Sequence, residues 1–264
     1  YLYSFYKAEN QIAERILKLD KAKNMKKVSN IEKELKLVEE KTDIMLSEKQ
    51  KEAIRAINDN NVTIITGGPG TGKTTIIKSI IEIYKQKKYK IVLCAPTGRA
   101  AKRMTETTGE EASTLHRLLE IGKVDEESLF KKDSEYQGAP IDGDIIIVDE
   151  VSMVDMFIMS YLLDCIYLGT KLILVGDSDQ LPSVGPGSVL QDLIASEKIV
   201  TVHLDKIFRQ AAKSKIIVNA HRVNNGKGFI SKEDPELEKD SKQDFYFIKE
   251  NSQEKILEEV LSLC

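Results

Sequence analysis

Residues 67–75 read GGPGTGKTT, and this segment decides the fold. It matches the pattern G-x-x-x-x-G-K-[ST] and lies between an apolar run at residues 62–66, VTIIT, and a helical stretch that begins near Thr74. A strand, a glycine-rich loop and a helix in this order direct successive backbone N–H groups at an anion. A glycine-rich turn that contains a lysine by chance would not have to lie between a strand and a helix. We therefore interpret the segment as a phosphate loop whose ligand is a nucleoside triphosphate.

The phosphate loop predicts a magnesium-dependent site. We expect Lys73 to contact the β- and γ-phosphates and the hydroxyl of Thr74 to bind Mg²⁺. The other predicted nucleotide-binding residues of the loop are Gly68, Pro69, Gly70, Thr71, Gly72 and Thr75.

A second apolar run, DIIIVDE at residues 144–150, ends in two acidic residues. Asp149 could hold the Mg²⁺ and Glu150 could polarise the attacking water. Acidic residues after a strand are also common in solvated turns and helix caps. Together with the phosphate loop, however, they predict hydrolysis of a nucleoside triphosphate.

Short apolar runs alternate with helical stretches along most of the chain. The predicted strands are residues 62–66, 90–95, 144–150, 171–176, 199–204 and 244–249. Nearly continuous apolar strands separated by helices predict an α/β fold with a mostly parallel sheet covered by helices on both faces. Ligands of such a sheet gather at the carboxyl ends of its strands. Residues 1–41 instead show the apolar spacing of amphipathic helices, so we predict a helical region before residue 42.

The composition is that of an ordinary globular protein. The chain has 264 residues, 41% of them hydrophobic and 31% charged, and a net charge of -3. Any nucleic-acid binding must therefore come from local basic patches. No apolar run approaches the length of a membrane span, and we expect a cytoplasmic protein without a membrane partner. The three cysteines have no metal-binding or redox spacing, which indicates reduced structural thiols.

Gln50 has two interpretations. It stands three residues after Ser47, just before apolar helical positions, which is the spacing of a capping box. Its side-chain amide also offers one donor and one acceptor, which match N6 and N7 of adenine. The spacing alone favours the cap.

Several segments occur in the order of the motifs of superfamily 1B DNA helicases. They are LSEKQKEAI, GGPGTGKTT, APTGRAAKRM, STLHRLL, IIIVDEVSMVD, LVGDSDQLPSVGPGSVL and LDKIFRQ, and the resemblance covers about residues 46–225. The chain resembles the RecD-type helicases of this superfamily in particular. The resemblance implies a RecA-like motor domain and an ATP-dependent DNA helicase that uses Mg²⁺ and unwinds DNA 5′ to 3′ in repair or recombination.

The resemblance also implies roles for individual residues. Gln50 matches the glutamine that recognises adenine, Gln180 one that senses the γ-phosphate and couples it to DNA, and Arg209 an arginine that reaches the γ-phosphate. A guanidinium stabilises the charge on the transferring phosphoryl group, although an arginine here could also be a surface charge or a DNA contact.

The expected contacts to single-stranded DNA follow two of the motifs. They are Pro96, Thr97 and Arg99 in APTGRAAKRM and Thr114 and His116 in STLHRLL. Basic side chains and backbone amides at a helix start suit phosphates. Lys102 and Arg103 are equally typical of a solvated basic helix face, and His116 alone would be an ordinary surface or core histidine.

The domain organisation follows from the same resemblance. We expect residues 42–264 to be the first RecA-like motor domain, with residues 121–140 an inserted hairpin that helps to part the duplex or an ordinary surface loop. A second motor domain is not found in the sequence, so we expect weak ATP turnover by this chain alone. The expected partners are single-stranded DNA and duplex junctions, with or without RecB/RecC-like nuclease subunits. We expect the motor itself to be monomeric. The alternatives are a nucleotide-gated DNA-binding subunit of a nuclease complex and a P-loop ATPase that remodels proteins.

Overall fold

The computed structural model describes residues 2–23, 25–121, 139–208, 213–230 and 244–263. The chain forms two compact units, Tyr1–Lys206 and Ile207–Cys264, and each is described by itself.

The first unit is built on a six-stranded sheet in the order β3-β2-β4-β5-β1-β6. Every pair of neighbouring strands is parallel. The strands are β1 (Val62–Gly67), β2 (Ile91–Ala95), β3 (Ala112–Thr114), β4 (Ile145–Val148), β5 (Lys171–Gly176) and β6 (Val200–Leu204). The predicted α/β fold class with a parallel sheet is confirmed, and all carboxyl ends lie on one edge of the sheet.

Helices connect the strands. The first unit contains α1 (Tyr3–Asp20), α2 (Ile31–Thr42), α3 (Glu48–Asp59), α4 (Lys73–Gln86), α5 (Gly98–Thr108), α6 (Leu115–Leu118), a 3₁₀ helix (Val151–Met153), α7 (Met156–Asp164) and α8 (Val189–Ala195). The second unit contains α9 (Lys215–Asn224) and α10 (Gln253–Leu263).

Alternate strand residues enter two separate hydrophobic cores. On β1, Ile64 packs in a core with α1, α7 and α8, whereas Ile65 packs in a core with α2, α3 and α4. On β4, Ile146 and Ile147 are divided in the same way. Both faces of the sheet are therefore covered, which explains why its strands are apolar without alternation.

The N-terminal helices belong to these cores. Ile12, Ile16 and Leu19 of α1 are buried in the first core. Arg15 Nε also donates to Asp164 Oδ1 of α7 at 3.0 Å. Residues of α2 are buried in the second core. The structure thus gathers residues 1–206 into one unit, while the functional division at residue 42 stays a prediction.

The prediction of a sixth strand at residues 244–249 is wrong. This segment has no regular secondary structure. Asp244 Oδ1 instead accepts a hydrogen bond from the backbone N–H of Lys215 at the start of α9, at 2.8 Å. The ring of Phe247 packs on that of Phe229, with 4.6 Å between centroids. Local capping and ring packing thus replace the strand pairing that the apolar pattern suggested.

Two predicted features lie outside the described residues. They are Arg209 and most of the inserted segment at 121–140, of which only residues 121, 139 and 140 are described. Among the helices in the described ranges, none is long and apolar enough to cross a membrane.

Candidate nucleotide-binding site

The segments predicted to bind the nucleotide follow neighbouring strands at the carboxyl edge of the sheet. The phosphate loop follows β1, residues 177–180 follow β5, and the pair Asp149 and Glu150 follows β4. Strand β5 lies between β1 and β4 in the sheet. Segments that are more than 70 residues apart in sequence, such as 67–75 and 149–150, are therefore brought to one place by the strand order.

Glycines give the phosphate loop its shape. Gly70 and Gly72 have φ angles of 78° and 86°, a conformation that residues with a Cβ rarely adopt. Gly72 is the N-cap of α4. The Thr71 side chain is buried, and its hydroxyl donates to the carbonyl of Gly68 at 2.8 Å, which closes the loop. The first backbone N–H groups of α4 have no partners within the helix, so this end of α4 can receive an anion.

Lys73 is directed into the loop. Its Nζ donates to the carbonyl of Gly68 at 3.1 Å and to that of Gly67. Burial lowers the pKa of Lys73 below its ordinary value. Three carboxylates act in the opposite direction, in decreasing order Asp177, Glu150 and Asp149. The half-buried ammonium of Lys73 therefore lies in the field of carboxylates from two other strand ends.

Asp149 and Glu150 form a tight turn after β4. The Asp149 N–H donates to the Cys94 carbonyl of β2, and its Oδ1 accepts from the Glu150 N–H at 2.9 Å. Burial raises the pKa of Asp149, and the neighbouring Glu150 raises it further. Glu150 itself has a φ of 53°, which is uncommon for a residue other than glycine.

The side chain of Gln180 contacts two other residues of this edge. Its Oε1 accepts from the Ser152 hydroxyl at 3.3 Å, and its Nε2 lies 3.5 Å from Asp177 Oδ2. Asp177 is buried, whereas Gln180 is exposed. The structure thus places Gln180 beside a carboxylate that acts on Lys73.

Gln50 makes the capping box that its spacing predicts. The Ser47 N–H donates to Gln50 Oε1 at 2.9 Å, and the Gln50 N–H donates to the Ser47 hydroxyl at 3.3 Å. Its Nε2 also donates to the carbonyl of Gly72 in the phosphate loop at 3.4 Å. The side chain is therefore next to the loop. Recognition of adenine stays a prediction.

The remaining loop residues have different exposures. Pro69 is exposed, and Thr74 and Thr75 are half-buried in the first turn of α4. The Thr75 carbonyl accepts a hydrogen bond from the Ser79 hydroxyl at 2.9 Å within the helix. Thr74 stands at the helix start, where its hydroxyl could serve the Mg²⁺ that the sequence predicts.

The residues present fit a magnesium nucleotide. Within the described part of the chain, no group of three or more His, Cys, Asp or Glu side chains could hold a metal ion by itself. Mg²⁺ is usually held by one or two protein oxygens together with substrate phosphates. The hydroxyl of Thr74 and the carboxylate of Asp149 are oxygen ligands of this kind, and the half-buried Lys73 supplies the positive charge that phosphates need.

The predicted DNA contacts lie on the other half of the same edge. Ala95 at the end of β2 pairs with Thr114 at the end of β3, so the two DNA motifs are adjacent. Thr97 caps α5 by accepting from the Ala100 N–H, and Thr114 caps α6 by accepting from the Arg117 N–H, each at 3.2 Å. Pro96 is half-buried, while Arg99 and His116 are exposed. Binding of DNA by these residues stays a prediction.

A family model described as an AAA domain matches residues 50–186. The chain belongs to the AAA domain family. The matched region of this AAA domain runs from Gln50 through the phosphate loop and Asp149 to residue 186, just after Gln180, and so contains the site described above.

Curated relatives of this AAA domain include a DNA helicase and subunits of the RecBCD enzyme. The chain is 40% identical over 181 residues to the ATP-dependent RecD2 DNA helicase of Deinococcus radiodurans, with 69% of this chain and 24% of that protein covered. It is 36% identical over 213 residues to the RecBCD enzyme subunit RecD of Buchnera aphidicola subsp. Acyrthosiphon pisum, with coverage of 73% and 34%. The predicted resemblance to RecD-type superfamily 1B helicases is confirmed. The chain spans about a quarter to a third of the length of these two relatives.

Among solved structures, the AAA domain is similar to Pif1 from a Bacteroides species in complex with ADP-AlF4. The two chains are 26% identical, the TM-score is 0.44, and the match covers 64% of this chain and 44% of that chain.

Two residues of the site were not found from the sequence. Arg103 of α5 acts electrostatically on both Lys73 and Asp149. It was interpreted only as a DNA contact or a solvated charge, because the sequence does not show on which side of the edge α5 lies. Ser152 contacts Gln180 across 28 residues of sequence, and only the adjacency of β4 and β5 reveals this pair.

Proposed function

We propose that this chain is the ATP-hydrolysing motor domain of a DNA helicase that moves 5′ to 3′ on single-stranded DNA in repair or recombination. The main support is the strand order, which brings the phosphate loop after β1 to the same edge as Asp177 after β5 and Asp149 and Glu150 after β4. The three carboxylates act electrostatically on Lys73. This arrangement combines a phosphate-binding cation with the acidic residues that magnesium and an attacking water require. The name of the Deinococcus relative, an ATP-dependent DNA helicase, supports the same assignment.

Each residue of the site has a part in the proposed hydrolysis. The N–H groups at the start of α4 and the ammonium of Lys73 would bind the phosphates. The hydroxyl of Thr74 and the carboxylate of Asp149 would hold Mg²⁺, which neutralises charge on the phosphates when bound. The Glu150 carboxylate would orient the attacking water and accept its proton. Gln180 would sense the γ-phosphate, and Arg209 would stabilise the charge that develops on it.

The order of the strands supports coupling between ATP and DNA. The nucleotide segments follow β4, β5 and β1, and the predicted DNA segments follow β2 and β3. Strands β2 and β4 are neighbours, and the Asp149 N–H is bonded to the Cys94 carbonyl of β2 at 2.9 Å. A movement at Asp149 could therefore reach the start of α5 through one strand. Action on DNA also agrees with the cytoplasmic location expected from the sequence.

A second candidate function keeps the same site but changes the partners. Several relatives are named RecBCD enzyme subunit RecD, among them the one that is 36% identical to this chain. The chain would then serve a nuclease complex with RecB/RecC-like subunits. Purification of the protein with its cellular partners distinguishes this assembly from a motor that works alone.

Strand displacement on tailed duplexes tests the proposal. The protein produced from the complete gene is incubated with ATP, Mg²⁺ and a labelled duplex that carries either a 5′ or a 3′ single-stranded tail. We expect unwinding of the 5′-tailed duplex only, and its loss in Lys73→Ala. Preference for the 3′ tail would contradict the polarity, while DNA-independent ATP hydrolysis without unwinding would contradict the helicase assignment and favour an ATPase that acts on proteins.

A further inference from the structure

The orientation of the Gln180 amide is determined by its two neighbours. A carboxylate only accepts hydrogen bonds, so the contact of 3.5 Å with Asp177 Oδ2 requires the nitrogen end of the amide on that side. The oxygen end then faces Ser152, whose hydroxyl must donate across the 3.3 Å between Ser152 Oγ and Gln180 Oε1. One hydroxyl and one carboxylate thus hold the amide in a single orientation.

Ser152 is attached to the acidic turn of the site. It lies in the 3₁₀ helix that follows Asp149, and Glu150 is the N-cap of that helix with a φ of 53°. The Met153 N–H returns to the Glu150 carbonyl at 3.1 Å. Ser152 therefore lies inside the short turn that this hydrogen bond closes.

The end of β5 approaches this turn closely. A Cβ added to Gly176 would lie 3.3 Å from the backbone nitrogen of Ser152 and 2.9 Å from Leu190 Cδ2. Glycine at this position allows the turn after β4 and the turn after β5 to pack together. The contact between Ser152 and Gln180 is thus supported by the backbone packing around it.

We propose that Ser152 is a positioning residue that holds the amide of Gln180 with Nε2 towards Asp177, and so links the turn of Asp149 and Glu150 to the loop after β5. The proposal rests on the proposed function, because it takes Gln180 to be the group that senses the γ-phosphate. Ser152 acts by fixing which end of the Gln180 amide is available, and its loss leaves the amide free to turn.

The orientation can be tested without nucleotide. The side-chain NH₂ signal of Gln180 is recorded by NMR in the ¹⁵N-labelled protein and identified by its absence in Gln180→Ala. We expect Ser152→Ala to move this signal towards the positions of unconstrained glutamine side chains, and Ser152→Thr, which keeps the hydroxyl, to leave it near the wild-type position. An unchanged signal in Ser152→Ala would overturn the proposal.

Nucleotide binding tests the consequence for the γ-phosphate. Dissociation constants are measured with Mg²⁺ for ADP and for a non-hydrolysable ATP analogue. Loss of one hydrogen bond predicts that the analogue binds Ser152→Ala about fivefold more weakly, while ADP binding is unchanged. Ser152→Thr should bind both nucleotides like the wild type.

A matched control separates positioning from stability. Ser196→Ala also removes a hydroxyl, which donates to the Leu193 carbonyl at the end of α8, and should leave both dissociation constants unchanged. Equal weakening of ADP and analogue in Ser152→Ala would show a merely structural role and overturn the proposal. If the wild type bound neither nucleotide, the proposed function would fail, and the NMR signal alone would decide whether Ser152 positions Gln180.

Discussion

At the scale of single residues, two lysines lie at opposite ends of the sheet. Lys73 lies at the carboxyl edge among carboxylates, and Lys171 begins β5 at the amino end with no exposed surface. The Nζ of Lys171 donates to the carbonyls of Ile57 and Asn60, which end α3. Burial lowers the pKa of Lys171 to about 8. A neutral amine keeps two N–H groups, which are enough for both carbonyls.

Lys171 predicts a specific dependence of stability on pH. Its pKa is lower in the folded than in the unfolded chain, so between pH 8 and about 10.4 the unfolded state binds more protons and the free energy of unfolding rises with pH. In Lys171→Met this rise should be smaller, by about 2 to 3 kcal/mol over the interval. Denaturant unfolding at several pH values measures the difference.

The control for Lys171 is an exposed lysine. Lys18→Met removes a side chain that is 60% exposed and forms a salt bridge with Glu14 on the same helix, so it should keep the wild-type pH dependence. An identical pH dependence in Lys171→Met and wild type would show that the Lys171 amine titrates as in water.

Residues whose role depends on local sequence could be predicted, and residues whose role depends on distant partners could not. Lys73 follows from the phosphate loop alone. Lys171 was included in a predicted strand without any role, because its partners Ile57 and Asn60 lie 114 and 111 residues earlier in the chain. The contacts of Ser152 and Arg103 could not be predicted for the same reason.

At the scale of elements, α3 connects a helix cap with the phosphate loop. Gln50 closes the capping box with Ser47 and donates to Gly72 at 3.4 Å, and its side chain is 1% exposed. The bond to Gly72 is longer than the 2.9 Å bond that its Oε1 accepts. We expect adenine to contact the Nε2 of Gln50 only when this bond to Gly72 opens and the side chain becomes accessible.

Two variants separate the cap from the reading of adenine. Ser47→Ala loses the box and should lower the free energy of unfolding by about 1 kcal/mol without changing the preference for ATP over GTP. Gln50→Ala should show a comparable loss of stability and also lose that preference. Competition binding with ATP and GTP measures the preference for ATP. An unchanged preference in Gln50→Ala would limit Gln50 to the helix cap.

The success of strand prediction depended on pattern length. Strands β1, β2, β4, β5 and β6 were predicted from apolar runs that agree with the structure to within a few residues. Strand β3, with three residues and the sequence AST, is too short and too polar to show a pattern. At residues 244–249 an apolar pattern predicted a strand where the structure has none. The order of the strands is not encoded locally and had to come from the structure.

At the scale of the whole molecule, helix α1 packs in a core of the first unit. Ile16 of α1 is 2% exposed in the core that contains residues of β1, β4 and β5. Its loss should therefore affect the entire first unit.

Ile16→Ala tests this continuity. We expect the free energy of unfolding to fall by about 2 to 4 kcal/mol, with the first unit still unfolding in one transition. Lys18→Ala, on an exposed position of the same helix, should change it little. A separate early transition of α1 in Ile16→Ala would instead support a boundary near residue 42.

The most direct test of the magnesium nucleotide site is binding of a fluorescent ATP analogue to this chain. We predict saturable binding that strengthens with Mg²⁺. The affinity should fall about tenfold or more in Lys73→Ala, which loses a charged hydrogen bond to the phosphates. Binding should persist in Glu150→Gln, which removes the carboxylate that orients the attacking water but keeps the groups that bind the phosphates. Equal binding by Lys73→Ala and wild type, with or without Mg²⁺, would contradict the account.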